Sequence, residues 1–250
     1  MSDYPHWQET FRIRSYDIAS NGLLRLDALC NFLQESAGGH ARELGVAVEQ
    51  LLRRNYTWVL SRLHVRIDRV PGWRQPLRIH TWPAQVDRRY AVRDFELYVE
   101  GEKVATATTA WLFIDLERRR PIRLPDDITA LHPDPPVRAL VDPFARLPVP
   151  EQADHEAVVQ VYYRDLDLNR HTNNVSYVSY CLEALPEPFL HENAPTELEI
   201  EFRNESRRGD RLLSRANLQG DDDRTEVLHH LVHEATGQEI CRAITRWQRR

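Results

Sequence analysis

The sequence is poor in cysteine and nearly devoid of lysine, and it has no long apolar run. Three cysteines in 250 residues, Cys30, Cys181 and Cys241, are odd in number and far apart. That pattern excludes a disulfide framework and the paired spacing of a zinc site. Cys30 and Cys181 fall in segments of helical periodicity and read as core residues. No stretch approaches the ~20 apolar residues of a membrane-spanning helix. The opening "MSDYPHWQETF" has no basic region followed by an apolar core, so no secretory signal is expected and the expected location is cytoplasmic. Lys103 is the only lysine among 33 basic residues, and acids exceed bases to give a formal net charge of −5. Bulk attraction to nucleic acid is thereby excluded. The arginines cluster at Arg53-Arg54, Arg88-Arg89, Arg118-Arg119-Arg120 and Arg207-Arg208. Such clusters are either solvated surface or a docking face for an acidic partner.

What is present is globular: 42% hydrophobic and 28% charged residues. Seven of the fifteen prolines lie between Pro125 and Pro150, a composition that resists regular structure and reads as a linker or covering strap. It divides the chain into residues 1–128, a linker 129–154, and residues 155–250.

The two halves share an order of segments. A strand (Phe11–Tyr16; Val158–Tyr163) leads through a polar turn into a helix, whose apolar residues are Leu26, Leu29 and Leu33, or Val175, Val178, Leu182 and Leu185. An offset of 148 residues places Asp17 on Asp165, Asn21 on Asn169 and Glu35 on Glu183, but Leu23 on His171. About five alternating strand-like segments follow in each half, from "TWVLSRLHVRIDRV" to "KVATATTAWLFIDL" and from "TELEIEFRNE" to "QEICRAITRWQR". The reading is an internal duplication of an α+β unit, each copy an antiparallel sheet curled around one helix.

The stretch "RDLDLNRHTNNVSYVSYCLEAL" concentrates Asp165, Asp167, Asn169 and His171 just before a helix. Taken alone, Asp165, Thr172, Asn173 and Asn174 are ordinary turn and N-cap residues. If residues 167–171 are extended, Asp167, Asn169 and His171 share one side. His40, in "GGHARELG", has no second ligand near it in sequence and reads as structural.

Those blocks resemble the acyl-ACP thioesterases of plant plastids and bacteria. The resemblance rests on "IRSYDI", "LCNFLQESAGGHARELG", "WVLSRLHVRIDRVPGW", "TWPAQVDR", "ATTAWLFIDLERRRPIRLPDDI", "DLDLNRHTNNVSYV" and "LEIEFRNESRRGD", and covers nearly the whole chain. It implies a tandem double hotdog, with an N-terminal half that shapes the acyl-chain pocket and a C-terminal catalytic half. It implies hydrolysis of the thioester of acyl-acyl carrier protein to free fatty acid. No cofactor, metal, nucleic acid or membrane is implied, and the chain is expected as a monomer or homodimer. The family's functional Asp, Asn and His fall on Asp167, Asn169 and His171, and its glutamate on Glu205. Many plant members carry a cysteine after that glutamate, where this chain has Ser206.

Glu205 would act as a general base on water or attack as a carboxylate nucleophile, and burial would raise its pKa from about 4.3 toward ~6–7. Asp167 and His171 would orient it, and Asn169 would hold water or the thioester carbonyl. Backbone N–H groups near Asn173 and Asn174 are candidate oxyanion donors at the helix start. The alternatives are an acyl-CoA or aromatic-CoA hydrolase, a non-catalytic acyl-binding hotdog protein, and a hotdog dehydratase.

Overall fold

Alternation makes strands of these segments, because it places one set of side chains on a buried face and the next on the opposite one. The computed structural model describes residues 4–87, 90–167, 169–221 and 223–250, so the Arg88-Arg89 pair lies outside the described residues. The first half contains β1 (Trp7–Arg12), α1 (Leu26–Glu43), the short α2 (Val48–Leu52), β2 (Tyr56–Ile67), β3 (Pro76–Asp87), β4 (Tyr90–Val99), β5 (Glu102–Asp115) and a short β6 (Arg120–Ile122). A four-residue α3 (Asp126–Thr129) opens the proline-rich segment. The second half contains β7 (His155–Gln160), α4 (Asn174–Leu182), the short α5 (Glu187–Glu192), β8 (Asn193–Phe202), β9 (Arg211–Gly220), β10 (Arg224–His233) and β11 (Glu239–Arg249).

The strands join in one antiparallel sheet in the order β1-β3-β4-β5-β2-β8-β11-β10-β9-β7, with β6 on β5. Outward from the β2–β8 seam, both halves repeat the same order. The fold is a tandem double hotdog: α1 packs under β1 and β3, α4 packs under β9 and β10, and the helices touch each other. α1 buries Leu26, Leu29, Phe32 and Leu33, large apolar side chains worth roughly 1.5–3 kcal/mol each when fully buried. Both leading strands end earlier than the sequence suggests, at Arg12 and Gln160. The Asp17 carboxylate takes the Arg14 N–H at 2.8 Å, and the Asp165 carboxylate takes the Tyr162 N–H at 2.7 Å. These local bonds draw the chain out of the extended form into 3-10 turns.

The seam is apolar inside and charged outside. Across it Arg62 faces Glu201, His64 faces Glu199 and Arg66 faces Glu197. Arg62 pairs with Glu201 at 2.8 Å, and Arg66 and Arg246 both pair with Glu197. His64 sits between two carboxylates, Nδ1 2.7 Å from Asp142 and Nε2 2.6 Å from Glu197. Among the described residues, His64, Glu197 and Glu199 form the one close group of metal-ligand types, and the arginines already engage its carboxylates. The proline-rich segment crosses this outer face as a strap. Arg138 pairs with the fully buried Asp94 on β4, Asp142 with His64 on β2, and the Leu147 N–H with Glu201 on β8. The Leu147 carbonyl accepts from Arg242 on β11 at 2.9 Å. Among the described residues no helix is long and apolar enough to cross a membrane.

Candidate functional site

Each half carries the same loop ahead of its helix, bond for bond. In the first, the Ala19 N–H reaches the Leu23 carbonyl at 2.8 Å, Gly22 N–H reaches Ala19, and Arg25 N–H reaches Asp17. In the second, the Asp167 N–H reaches the His171 carbonyl at 2.8 Å, Arg170 N–H reaches Asp167, and Asn173 N–H reaches Asp165. Gly22 and Arg170 both take left-handed φ, +85° and +64°. The incoming β2–β3 and β8–β9 loops dock alike: Leu24 N–H on the Pro71 carbonyl, Thr172 N–H on the Ser206 carbonyl, both at 3.0 Å. The bond from the Asp167 N–H to the His171 carbonyl therefore closes a tight reversal, and the extended geometry expected to set Asp167, Asn169 and His171 on one side is not adopted.

On this shared frame the side chains differ. Asp167 Oδ1 accepts the N–H of Asn169 at 2.8 Å and of His171 at 3.1 Å, so the carboxylate shapes the turn. His171 Nε2 lies 3.4 Å from Glu205 Oε2, which brings the loop and the β8–β9 connection together. The Glu205 side chain is 60% exposed and that of His171 32%, so the burial expected of Glu205 is absent. Asn169 is exposed, and its side chain makes no hydrogen bond among the described residues. The first half has Ala19, Leu23 and Val70 at the places of Asp167, His171 and Glu205. It retains only Asn21, whose amide donates to the Leu190 carbonyl of the other half at 2.9 Å.

The helix start separates the two proposed oxyanion donors. Asn173 N–H is already given to the Asp165 carbonyl, and the Asn173 side chain caps the Val175 N–H at 3.2 Å. That N–H is not available to substrate. The N–H of Asn174, the first residue of α4, has no acceptor among the described residues and is the candidate that remains.

Sequence reasoning missed what holds Glu205 in place. Ser206, next in the chain, is 1% exposed. Its hydroxyl lies 2.7 Å from the Thr172 hydroxyl and 3.1 Å from Tyr177 Oη, and its N–H donates to Tyr177 Oη at 2.9 Å. Residue 206 thus faces inward, away from the side on which Glu205 is exposed. The only sequence signal was an amphipathic helix bearing a tyrosine on its buried face.

An apolar slot lies between α1, the first half of the sheet and the first turns of α4. Leu33, Phe95, Trp111, Val175 and Val178 line it, with Asn174 and Phe202 at the end near His171 and Glu205 in sequence. It is nearly closed, about 20 Å³. Beside the site, Tyr162 and Tyr163 are exposed, with the Arg164 guanidinium 5.0 Å from the Tyr162 ring and that of Arg208 5.9 Å from Tyr163.

Residues 5–132 match the acyl-ACP thioesterase N-terminal domain, and residues 149–249 the acyl-ACP thioesterase C-terminal domain. A palmitoyl-acyl carrier protein thioesterase from Gossypium hirsutum chloroplasts is 28% identical over 97% of this chain, which spans 63% of that relative's length. An Arabidopsis thaliana oleoyl-acyl carrier protein thioesterase is 26% identical over 98% of this chain and 76% of its own. The crystal structure of an acyl-ACP thioesterase from Bacteroides thetaiotaomicron superposes with a TM-score of 0.84 at 25% identity, covering 97% of this chain and 98% of that one.

Proposed function

The chain belongs to the acyl-ACP thioesterase family, and from that premise we propose that it hydrolyses the thioester of acyl-acyl carrier protein, using Glu205 and His171. The observation that carries this reading is the 3.4 Å approach of His171 Nε2 to Glu205 Oε2. It lies where a helix start with a free N–H meets an apolar slot.

In this mechanism the acyl chain enters the slot, whose side chains part from the nearly closed form to admit it, and the thioester carbonyl points at the Asn174 N–H, which stabilises the oxyanion with the help of the helix dipole. His171 holds the Glu205 carboxylate in register, and Glu205 takes a proton from an attacking water. Hydroxide adds to the carbonyl carbon, the C–S bond breaks, and the thiolate of the phosphopantetheine arm leaves and takes up that proton. Asn169 holds the attacking water. Asp167 keeps the turn that presents Asn169 and His171. Substrate covering Glu205 supplies the dehydration that strengthens it as a base.

The carrier protein is acidic, and the Arg207-Arg208 pair lies on the same connection as Glu205, flanked by Arg164. We assign docking to these residues, because Arg207 and Arg208 are exposed immediately beside Glu205 in the chain. The test is thiol release from acyl-ACPs and matched acyl-CoAs by the wild type and His171→Ala. Turnover of acyl-ACP by the wild type, reduced about 10²–10⁴-fold in the mutant, is the expected result. Faster turnover of the CoA esters would make the carrier reading wrong.

A further inference from the structure

We infer that the buried hydroxyl cluster of Tyr177, Ser206 and Thr172 is a positioning device for the reaction, in which Tyr177 fixes the peptide that carries Glu205; this rests on the proposed use of Glu205 as the base. The cluster reaches both reacting residues through the chain. Ser206 follows Glu205, and Thr172 follows His171. Tyr177 stands on α4, the helix whose first residue is Asn174. The Glu205 side chain is largely exposed, so its own packing does not fix it.

The hydrogens of the cluster fall into one order that uses each of them once. The Tyr177 hydroxyl donates to Ser206 Oγ at 3.1 Å, Ser206 donates to Thr172 Oγ1 at 2.7 Å, and Thr172 donates to the Ser206 carbonyl at 2.9 Å. In return Tyr177 Oη accepts the Ser206 N–H at 2.9 Å. The Ser206 carbonyl also takes the Thr172 N–H, at 3.0 Å. Burial pushes the Tyr177 phenol up, so it stays a neutral donor and acceptor. Both main-chain groups of Ser206 are therefore held. A peptide unit is planar, so fixing the Ser206 N–H fixes the plane that ends at the Glu205 Cα.

The fold alone does not require this cluster. The first half makes the same joint, with the Leu24 N–H on the Pro71 carbonyl at 3.0 Å. There the places of Thr172, Tyr177 and Ser206 are taken by Leu24, Leu29 and Pro71, all buried and none with a hydroxyl. Proline has no N–H, so no counterpart of the Tyr177 bond forms. Burying hydroxyls is costly unless each is bonded. The half that needs only the joint builds it from apolar side chains, and the half that bears Glu205 builds it from a fully bonded cluster. The contact of His171 with Glu205 spans the same two loops that the cluster ties.

The experiment is acyl-ACP kinetics for the wild type, Tyr177→Phe, Ser206→Ala, Glu205→Gln and the double variant Tyr177→Phe/Glu205→Gln, with melting curves for each. Tyr177→Phe should lower kcat about 10- to 100-fold and leave KM within about twofold. Ser206→Ala keeps the N–H that Tyr177 accepts and should lose less. In the Glu205→Gln background Tyr177→Phe should cost no more than about twofold further, because its effect passes through Glu205. Equal losses in both backgrounds overturn the inference, as does an unchanged kcat in folded Tyr177→Phe. If Tyr177→Phe does not fold, Thr172→Val is read in the same two backgrounds, and equal losses or an unchanged kcat there overturn it. A second readout needs no turnover: the NMR shifts of the His171 ring nitrogens at fixed pH. Tyr177→Phe should move them in the direction that Glu205→Gln does, and unmoved shifts overturn the inference. Absence of acyl-ACP turnover by the wild type removes the proposed activity, and the ring shifts alone then decide whether Tyr177 holds Glu205 on His171.

Discussion

The loops ahead of α1 and α4 share a backbone down to single hydrogen bonds, and they carry different side chains on it. Before α4 the loop displays Asn169 and His171 to solvent beside Glu205. Before α1 the equivalent loop carries Ala19 and Leu23, and its Asn21 is turned into a tether to Leu190. The strands at the seam diverge in the same way. β2 and β8 occupy matching places, yet β2 presents Arg62, His64 and Arg66 where β8 presents Glu197, Glu199 and Glu201. A pair of identical subunits would bring each strand against its own copy and could not set a basic row against an acidic one. Joining the copies in one chain lets the two seam strands, and the two loops, carry different side chains.

The sharpest way to break that comparison is at the two equivalent connections, Glu205 and Val70. Glu205→Gln should lower kcat by about 10²–10⁴-fold. Its melting temperature should not move, because the lost carboxylate is 60% exposed. Val70→Ala, where the side chain packs on the main core, should cost about 1 kcal/mol of stability and leave kcat intact. Turnover surviving in Glu205→Gln would mean that Glu205 is not the base.

The seam yields a pH test. Burial alone would lower the pKa of His64, but its hydrogen bonds to Asp142 and Glu197 outweigh burial and raise it to about 9. A raised folded-state pKa stabilises fully below the unfolded value near 6.5 and loses that stabilisation as pH rises through about 9. The contribution is up to about 3 kcal/mol. Denaturant midpoints should fall between pH 7 and pH 10 in the wild type, and the curve should be flatter in His64→Gln. Parallel curves would remove His64 as the charge that ties strap, first half and second half together.

Much of this arrangement was legible in the sequence. Alternation in "TWVLSRLHVRIDRV" and its counterparts marked the strands, and one gapless offset aligned the loops that superpose bond by bond. The seam was not read from the sequence: basic residues stand at 62, 64 and 66 and acids at 197, 199 and 201, but pairing across 131 or more residues leaves no local trace to link the two rows. The tight reversal at 167–171 was hidden because Arg170, which takes the left-handed φ, is not a glycine. The Ser206–Thr172–Tyr177 cluster was hidden because hydroxyls carry no periodic signature, and the engagement of Asn173 N–H with Asp165 depends on how the loop folds back.

The mildest test uses the one residue of the candidate site that the first loop retains. Asn21 gives its amide to Leu190 at 2.9 Å and takes the Leu23 N–H at 3.1 Å, so both ends of the side chain are committed to structure. Asn21→Ala should cost about 1–2 kcal/mol in denaturant unfolding, the sum of two modest hydrogen bonds, with kcat unchanged. Asn169 has neither bond among the described residues, so Asn169→Ala should leave stability within about 0.5 kcal/mol. On the proposed mechanism its turnover should nevertheless fall about tenfold or more, because Asn169 is there assigned to hold the attacking water. The same substitution, made at two positions with one backbone geometry, thus separates a residue kept for the joint from a residue kept for the reaction. Equal effects on stability and rate at both positions would show that the loops have not divided their roles.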